Sequence, residues 1–243
     1  MFTRTTFTII GLLLISAAAL PAQDKAKAKS KKKPRPAPNG AFRKVEDVAG
    51  LPRVLLIGDS ISIGYTVPVQ DLLKGKANVH RAPTNCGPTT RGLEQLDKWL
   101  GAKPWDVIHF NFGLHDLKYM GPNGENLADP KDPTSKPQVS IEDYEKNLRK
   151  LVARLKKTNA KLIWCATTPV AAGTKGRVVG DSVKYNAVAA KVMQANGIAI
   201  DDLYAFAKPQ LKKLQRPANV HFTPAGSKAL AKHVVEHIVK ALD

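Results

Sequence analysis

Five short apolar runs separated by amphipathic stretches lay out most of the chain. Arg53-Val54-Leu55-Leu56-Ile57 is β-branched and apolar and stops at Gly58, as expected of a strand buried on both faces. Comparable runs over residues 77–82, 105–111, 161–167 and 197–200 predict four more strands. Between them, Ser140-Ile141-Glu142-Asp143 has the form of a capping box. Ile141, Tyr144, Leu148, Leu151, Val152 and Leu155 then recur at helical spacing. Residues 182–195 predict a second helix, stopped at Asn196-Gly197. A last helix starts with Thr223 as its cap and Pro224 in its first turn, and buries Leu230, Val234, Val235, Ile238 and Leu242.

Strands alternating with helices predict an α/β fold, a five-stranded and mostly parallel sheet with helices on both faces. In such folds ligands sit beyond the carboxyl ends of the strands, so the residues that follow strands are the informative ones. Three clusters do so: Gly58-Asp59-Ser60, Cys86-Gly87 and Gly113-Leu114-His115-Asp116. A fourth, Val220-His221-Phe222-Thr223, precedes the last helix. There is no internal repeat.

The first residues break this pattern. Arg4 is followed by an apolar run over residues 7–20 and then Pro21-Ala22-Gln23, the layout of a secretory signal peptide, with cleavage after Ala22 or Ala19. The run is too short for a comfortable membrane span, which needs about 20 apolar residues. No cysteine follows it to carry a lipid. An exported protein, periplasmic or secreted, is the expectation, with a leader over residues 1–22.

Composition adds one point. The hydrophobic content of 43% is that of a globular chain and excludes a fibrous or wholly disordered one. The formal charge of +18 is unevenly spread: residues 23–44 hold nine Lys/Arg against one acid. That stretch predicts a disordered basic linker, with the folded domain over residues 45–243. A basic tail suits anionic lipid or acidic surface polymers, and after export these outrank nucleic acid, which is not expected as a partner.

Ser60 is the first candidate for chemistry, because a serine after strand-Gly-Asp emerges at the sheet's carboxyl edge. The same tripeptide also fits a turn with a helix cap. A serine hydroxyl needs a base, and His221, in a polar loop, is the best candidate. His80 and His109 fall within strands and are expected to be packed or partly exposed. His233 and His237 fall inside the last helix and are expected at its surface. Asp201 and Asp202 read as caps for a helix from Leu203. Cys86 and Cys165 belong to different strands and are expected to stay free thiols. No spacing suggests a metal, no glycine-rich phosphate loop is present, and no cofactor is expected.

In order, these motifs resemble the SGNH/GDSL hydrolases over residues 53 to about 240. Residues 54–60, ending in Gly58-Asp59-Ser60, resemble the block that supplies the nucleophile. Asn85-Cys86-Gly87 resembles the second block, whose glycine N–H serves the oxyanion hole. Asn111-Phe112-Gly113-Leu114-His115-Asp116 resembles the third, and residues 220–226 resemble the block with the base. Thr167-Thr168-Pro169-Val170 is also similar to the family. The resemblance implies a flavodoxin-like three-layer sandwich and a serine esterase, with Ser60 as nucleophile, His221 as base and an oxyanion hole from Ser60, Gly87 and His115. Asn85, Asn111 and Asp116 are the expected substrate contacts. A second reading has Asp59 and Asp116 holding loop geometry.

Two departures from the family stand out. His115 occupies the place of an asparagine whose amide serves the oxyanion, and a neutral imidazole can replace it with one donor. Asn219 occupies the place of the aspartate that orients the base, with Ala218 the alternative position. Its carbonyl can accept from the histidine, but it brings no charge. The expected activity is hydrolysis of an O-acyl ester, O-acetyl foremost, on a carbohydrate, because the loop over residues 117–139 is polar and follows the third block. A lipid or short-chain acyl ester is the alternative substrate. A catalytically impaired glycan-binding or surface-attached module is the alternative function. A monomer is expected.

Overall fold

The strands form where the apolar runs predict them. In chain order the computed structural model has β1 (Arg53–Ile57), α1 (Ser60–Leu72), β2 (Asn78–Arg81), α2 (Thr89–Leu100), β3 (Val107–Phe110) and the short strands β4 (Tyr119–Met120) and β5 (Lys136–Pro137). After these come α3 (Ile141–Lys156), β6 (Lys161–Cys165), α4 (Asp181–Gln194), β7 (Ala199–Asp201), α5 (Leu203–Ala207), α6 (Leu211–Leu214) and α7 (Pro224–Leu242). The structure describes residues 1–3 and 40–243. Most of the expected leader and basic linker therefore lies outside the described residues. Among the described residues no helix is long and apolar enough to cross a membrane.

The main sheet has the order β2-β1-β3-β6-β7, and every neighbouring pair is parallel. Parallel crossovers are right-handed. The step from β1 to β2 runs one way and all later steps run the other, so α1 lies on one face and α2, α3 and α4 on the opposite one. The packing agrees: α1 packs on α7, while α3 packs on α2 and α4. This is the flavodoxin-like order, with its switch point between β1 and β3. Ser60 follows β1 and His115 follows β3, so the fold itself brings the two candidate loops together.

The core is the sheet's two faces. Val54, Leu55, Leu56 and Ile57 are each buried, as are Phe110, Phe112, Trp164 and Tyr144. Buried hydroxyls find partners, as they must: Tyr144 Oη donates to the Phe112 carbonyl (2.8 Å) and Tyr185 Oη to that of Val139 (2.6 Å). The expected caps of α3 and α7 form, with Ser140 accepting from the Asp143 N–H and Thr223 from the Gly226 N–H.

Three expectations change. The folded unit begins before residue 45: Gly40–Phe42 is a 3-10 turn with Ala41 buried, and the Phe42 ring lies 5.0 Å under the Arg81 guanidinium. Residues 40–44 thus belong to the domain rather than to a linker, because an apolar residue there has a surface to cover. Asp202 caps α5 through the Ala205 N–H (3.0 Å), but Asp201 does not. As the last residue of β7, Asp201 turns inward, is fully buried, and accepts from His109 Nε2 (2.9 Å). His233 Nε2 lies 3.2 Å from its other oxygen and His237 Nδ1 3.7 Å. His233 and His237 are therefore half-buried against a carboxylate instead of facing solvent. Burial opposes ionisation of Asp201, yet the bonds from His109 and His233 hold it below the usual carboxylate range. Cys86 and Cys165 are free and buried, and burial pushes the Cys86 thiol up to about 11, which makes it inert as a nucleophile.

Candidate active site

Ser60 is the first residue of α1. Asp59 is that helix's cap: its Oδ1 accepts the Ile61 N–H (2.9 Å), which leaves the Ser60 N–H without an intrahelical acceptor. The turn is braced from below by Arg81, which the sequence pattern did not single out. Its Nη2 donates to the Gly58 carbonyl and to Ser62 Oγ, both at 3.0 Å. A Cβ at Gly58 would lie 2.9 Å from Ser62 Oγ, so the tight turn into the helix requires glycine.

His221 is held by its own loop. Its carbonyl accepts the Arg216 N–H (2.9 Å), and the following Thr223 N–H donates to the Leu214 carbonyl (2.8 Å). A Cβ at Gly226 would lie 2.1 Å from that same Leu214 oxygen, so α7 begins in close contact with α6. His221 Nε2 lies 2.8 Å from Ser60 Oγ, and His221 Nδ1 lies 2.7 Å from Asn219 Oδ1. Asn219 Oδ1 also accepts the His221 backbone N–H at 2.9 Å.

That second bond fixes the chemistry of the first. A backbone N–H is only a donor, so the atom it meets must be the amide oxygen and not the amide nitrogen. The oxygen then faces Nδ1, which must carry the proton. Nε2 is left with its lone pair towards the Ser60 hydroxyl, the tautomer a general base needs. Ala218, just before Asn219, has φ 49°, a left-handed conformation uncommon for alanine and of the kind that concentrates at functional turns. It has no group to offer His221.

The other expected residues divide. His115 is half-buried and its ring nitrogens make no hydrogen bond among the described residues. Burial lowers its pKa; Asp59 opposes this, and the cations Lys118, Arg177 and Arg91 reinforce it. The imidazole is therefore neutral and keeps one N–H to offer. The Gly87 N–H, expected as a second oxyanion donor, instead donates to Asn85 Oδ1 (3.0 Å) in its own turn. This short-range bond forms because an asparagine two residues back closes such a turn readily. The Asn85 side-chain carbonyl is thereby engaged, while its amide nitrogen has no hydrogen-bond partner among the described residues.

Asn111 and Asp116, expected as substrate contacts, face inward. Asn111 Nδ2 donates to the Cys165 carbonyl (2.7 Å) and ties β3 to the end of β6. Asp116 is fully buried and accepts from the N–H (2.8 Å) and hydroxyl (2.5 Å) of Thr89 at the start of α2. Its pKa is pushed up to about 7 by burial, against those bonds. Gly113, between Asn111 and Asp116, packs closely on Thr167, for a Cβ there would lie 2.0 Å from Thr167 Oγ1.

Two grooves border the site. One, of about 420 Å³, is lined by Ser60, His221, Arg216, Pro224, Ser227 and Lys228 among others. The other, of about 820 Å³, is lined by Asn85, Gly87, Arg91, His115, Lys118 and Gln138 among others. The Asp59 carboxylate opposes the fall in pKa that burial gives both His115 and His221. Metal-type side chains do gather in the fold, as His109–Cys165–Asp201 and Asp201–His233–His237, but none of them lines the groove at Ser60.

Comparison with known proteins gives the family and the fold. Residues 56–229 match the model of the GDSL-like lipase/acylhydrolase family. The chain belongs to that family and is, by class, a carboxylic ester hydrolase. Among curated proteins none matches the chain. Among solved structures, a lipase/acylhydrolase from Enterococcus faecalis is similar with a TM-score of 0.63 and 19% identity, over 77% of this chain and 95% of that one. The acetylxylan esterase Axe2 from Geobacillus stearothermophilus has a TM-score of 0.62 and 19% identity, over 77% and 94%. The acetyl xylan esterase AlAXEase has a TM-score of 0.61 and 17% identity, over 76% and 99%. At these identities the likeness is one of fold.

Proposed function

We propose that this chain is an exported serine esterase that removes O-acyl groups, O-acetyl foremost, from a carbohydrate. The observation that carries the reading is the hydrogen-bonded chain from Ser60 Oγ through His221 to Asn219 Oδ1. In the mechanism, His221 Nε2 takes the Ser60 proton as Oγ attacks the ester carbonyl. The negative oxygen that forms is met by the Ser60 N–H and the His115 imidazole N–H. His221 then gives its proton to the departing alkoxide, and the acyl group remains on Ser60. Water, deprotonated in turn by His221, releases the acid and restores the serine.

Two features support a small acyl group on a polar substrate. The walls around Ser60 and His115 carry Arg216, Ser227, Lys228, Arg91, Lys118 and Gln138. The groove at Ser60 mixes these with apolar side chains, Ile63, Val67 and Pro68 on α1 and Phe222 and Pro224 beyond it, which can receive an acetyl methyl. Two of the similar proteins are acetylxylan esterases, which supports the carbohydrate reading here. The test is a series of p-nitrophenyl esters from C2 to C12. The expected result is a kcat/KM at C2 at least about tenfold above that at C8, since a buried CH₂ contributes about 0.8 kcal/mol only where apolar walls exist to receive it. A maximum at C8 or longer would move the reading to a lipase.

A further inference from the structure

The two grooves carry four cations, Arg91, Lys118, Arg216 and Lys228, and a fifth, Arg177, bonds the backbone just before His115. Some surface basic side chains pair with carboxylates, as in Arg53–Asp47, Arg149–Glu145 and Arg154–Asp97, and others stand alone. Arg91, Lys118, Arg177, Arg216 and Lys228 form no ion pair among the described residues. Their side-chain partners, where they have them, are neutral: Thr84 Oγ1 for Arg91 (3.2 Å), Asn126 Oδ1 for Lys118 (2.7 Å) and the Leu114 carbonyl for Arg177 (3.0 Å). Glu94 is the one acid on the walls of either groove, and Asp59 lies buried as the cap of α1.

Arg177 is the most informative of the five. It sits in the loop between β6 and α4, and that loop is pinned. The Gly176 carbonyl accepts the Tyr119 N–H (2.8 Å), and a Cβ at Gly176 would lie 2.4 Å from Leu127 Cα. Arg177 Nε is then fixed on the carbonyl of Leu114, the residue directly before His115. The guanidinium is half-buried, and both Nη groups lack an acceptor among the described residues. Neither Nη group is among the buried unpaired atoms, so solvent reaches both and a ligand can take its place. The free edge of a guanidinium matches the two oxygens of a carboxylate.

We propose that the substrate is acidic, an O-acylated polysaccharide whose sugars carry carboxylates, and that Arg177 binds one carboxylate next to the ester undergoing cleavage. Arg91 and Lys118 on one groove, and Arg216 and Lys228 on the other, line the path of neighbouring acidic residues. The inference rests on the esterase reading for its kinetic part only, because the anion site itself is a matter of binding.

Two experiments separate the parts. In the first, Ser60→Ala protein is titrated with trigalacturonate by calorimetry, with and without the added change Arg177→Gln. Binding weakened by about 10–100-fold in Arg177→Gln, the range for charge-assisted hydrogen bonds, with part of the affinity kept in Arg177→Lys, is the expected result. No binding, or equal binding in all three proteins, overturns the anion site whatever the enzyme does. In the second, acetate release is compared on acetylated polygalacturonate and neutral acetylated xylan. Wild type is expected to favour the acidic polymer, less so at high salt, and Arg177→Gln to lower the acidic-to-neutral ratio of kcat/KM at least tenfold. A ratio left unchanged by Arg177→Gln makes Arg177 merely structural and overturns the proposal. Trigalacturonate binding with no acetate release from either polymer would instead strike the esterase reading alone.

Discussion

Replacing Ser60 or His221 by alanine is expected to lower kcat on a small aryl acetate by a factor on the order of 10³–10⁵. Where a serine and histidine act as one unit, removal of either costs as much as removal of both, up to about 10⁶ in a complete triad. Here the loss starts from a lower rate, because the third member is an amide. The size of the residual rate is set by what remains, chiefly the donors around the oxyanion. The 2.8 Å contact between His221 Nε2 and Ser60 Oγ makes the pair one unit, so the double variant is expected to be no slower than either single one. Steady-state kinetics on the three variants check this. Multiplying losses in the double variant would mean that the two side chains act independently.

Asn219→Asp is expected to raise kcat by about 10–100-fold. Loss of the aspartate in a serine protease triad costs on the order of 10⁴, and much of that loss comes from a histidine held in the wrong tautomer. In this chain the backbone N–H of His221 already turns Asn219 Oδ1 towards the ring, so the tautomer is right and only the charge is missing. A carboxylate at the same place would stabilise the imidazolium that forms as Ser60 attacks. The pH profile should move with it. Burial now depresses the His221 pKa; Asp59 opposes this and Arg216 and Arg177 add to it. The neutral, active base therefore persists below the ordinary histidine value near 6.5, and activity falls only as pH drops further. A negative neighbour raises that pKa, so the acid limb of kcat in Asn219→Asp is expected at higher pH than in wild type. Profiles of kcat against pH for both proteins provide the check. An unchanged rate and limb would show that Asn219 supplies geometry alone.

The succession of strands and the placing of Ser60 after β1 and of His221 before α7 were legible because both depend on local pattern. Val54–Ile57 is apolar without a break, and Thr223-Pro224 starts a helix in a way few other pairs do. The helices α1 and α2 were harder to read, for they contain Pro68 and Gly92 and owe their stability to packing rather than propensity. Residues 117–139 read as a polar loop, and the β4–β5 pairing within them is only two residues long on each side.

The site's finer features depended on contacts that no spacing encodes. The Asn85 carbonyl takes up the Gly87 N–H, and Thr89 takes up Asp116 from 27 residues away. Arg177 reaches Leu114 across 63 residues, and nothing in its neighbours marks it as different from any other loop arginine. His233 and His237 looked like surface residues because helical periodicity cannot show that β7 ends in an inward carboxylate.

The central claim is that Ser60 is the nucleophile, activated by His221. Its most direct test is covalent labelling by a fluorophosphonate probe, read as mass added to the intact protein and to the peptide that contains residue 60. Wild type is expected to gain one adduct on that peptide at a rate that falls as His221 protonates, and Ser60→Ala is expected to gain none. Equal labelling of wild type and Ser60→Ala, or an adduct on another residue, would contradict it.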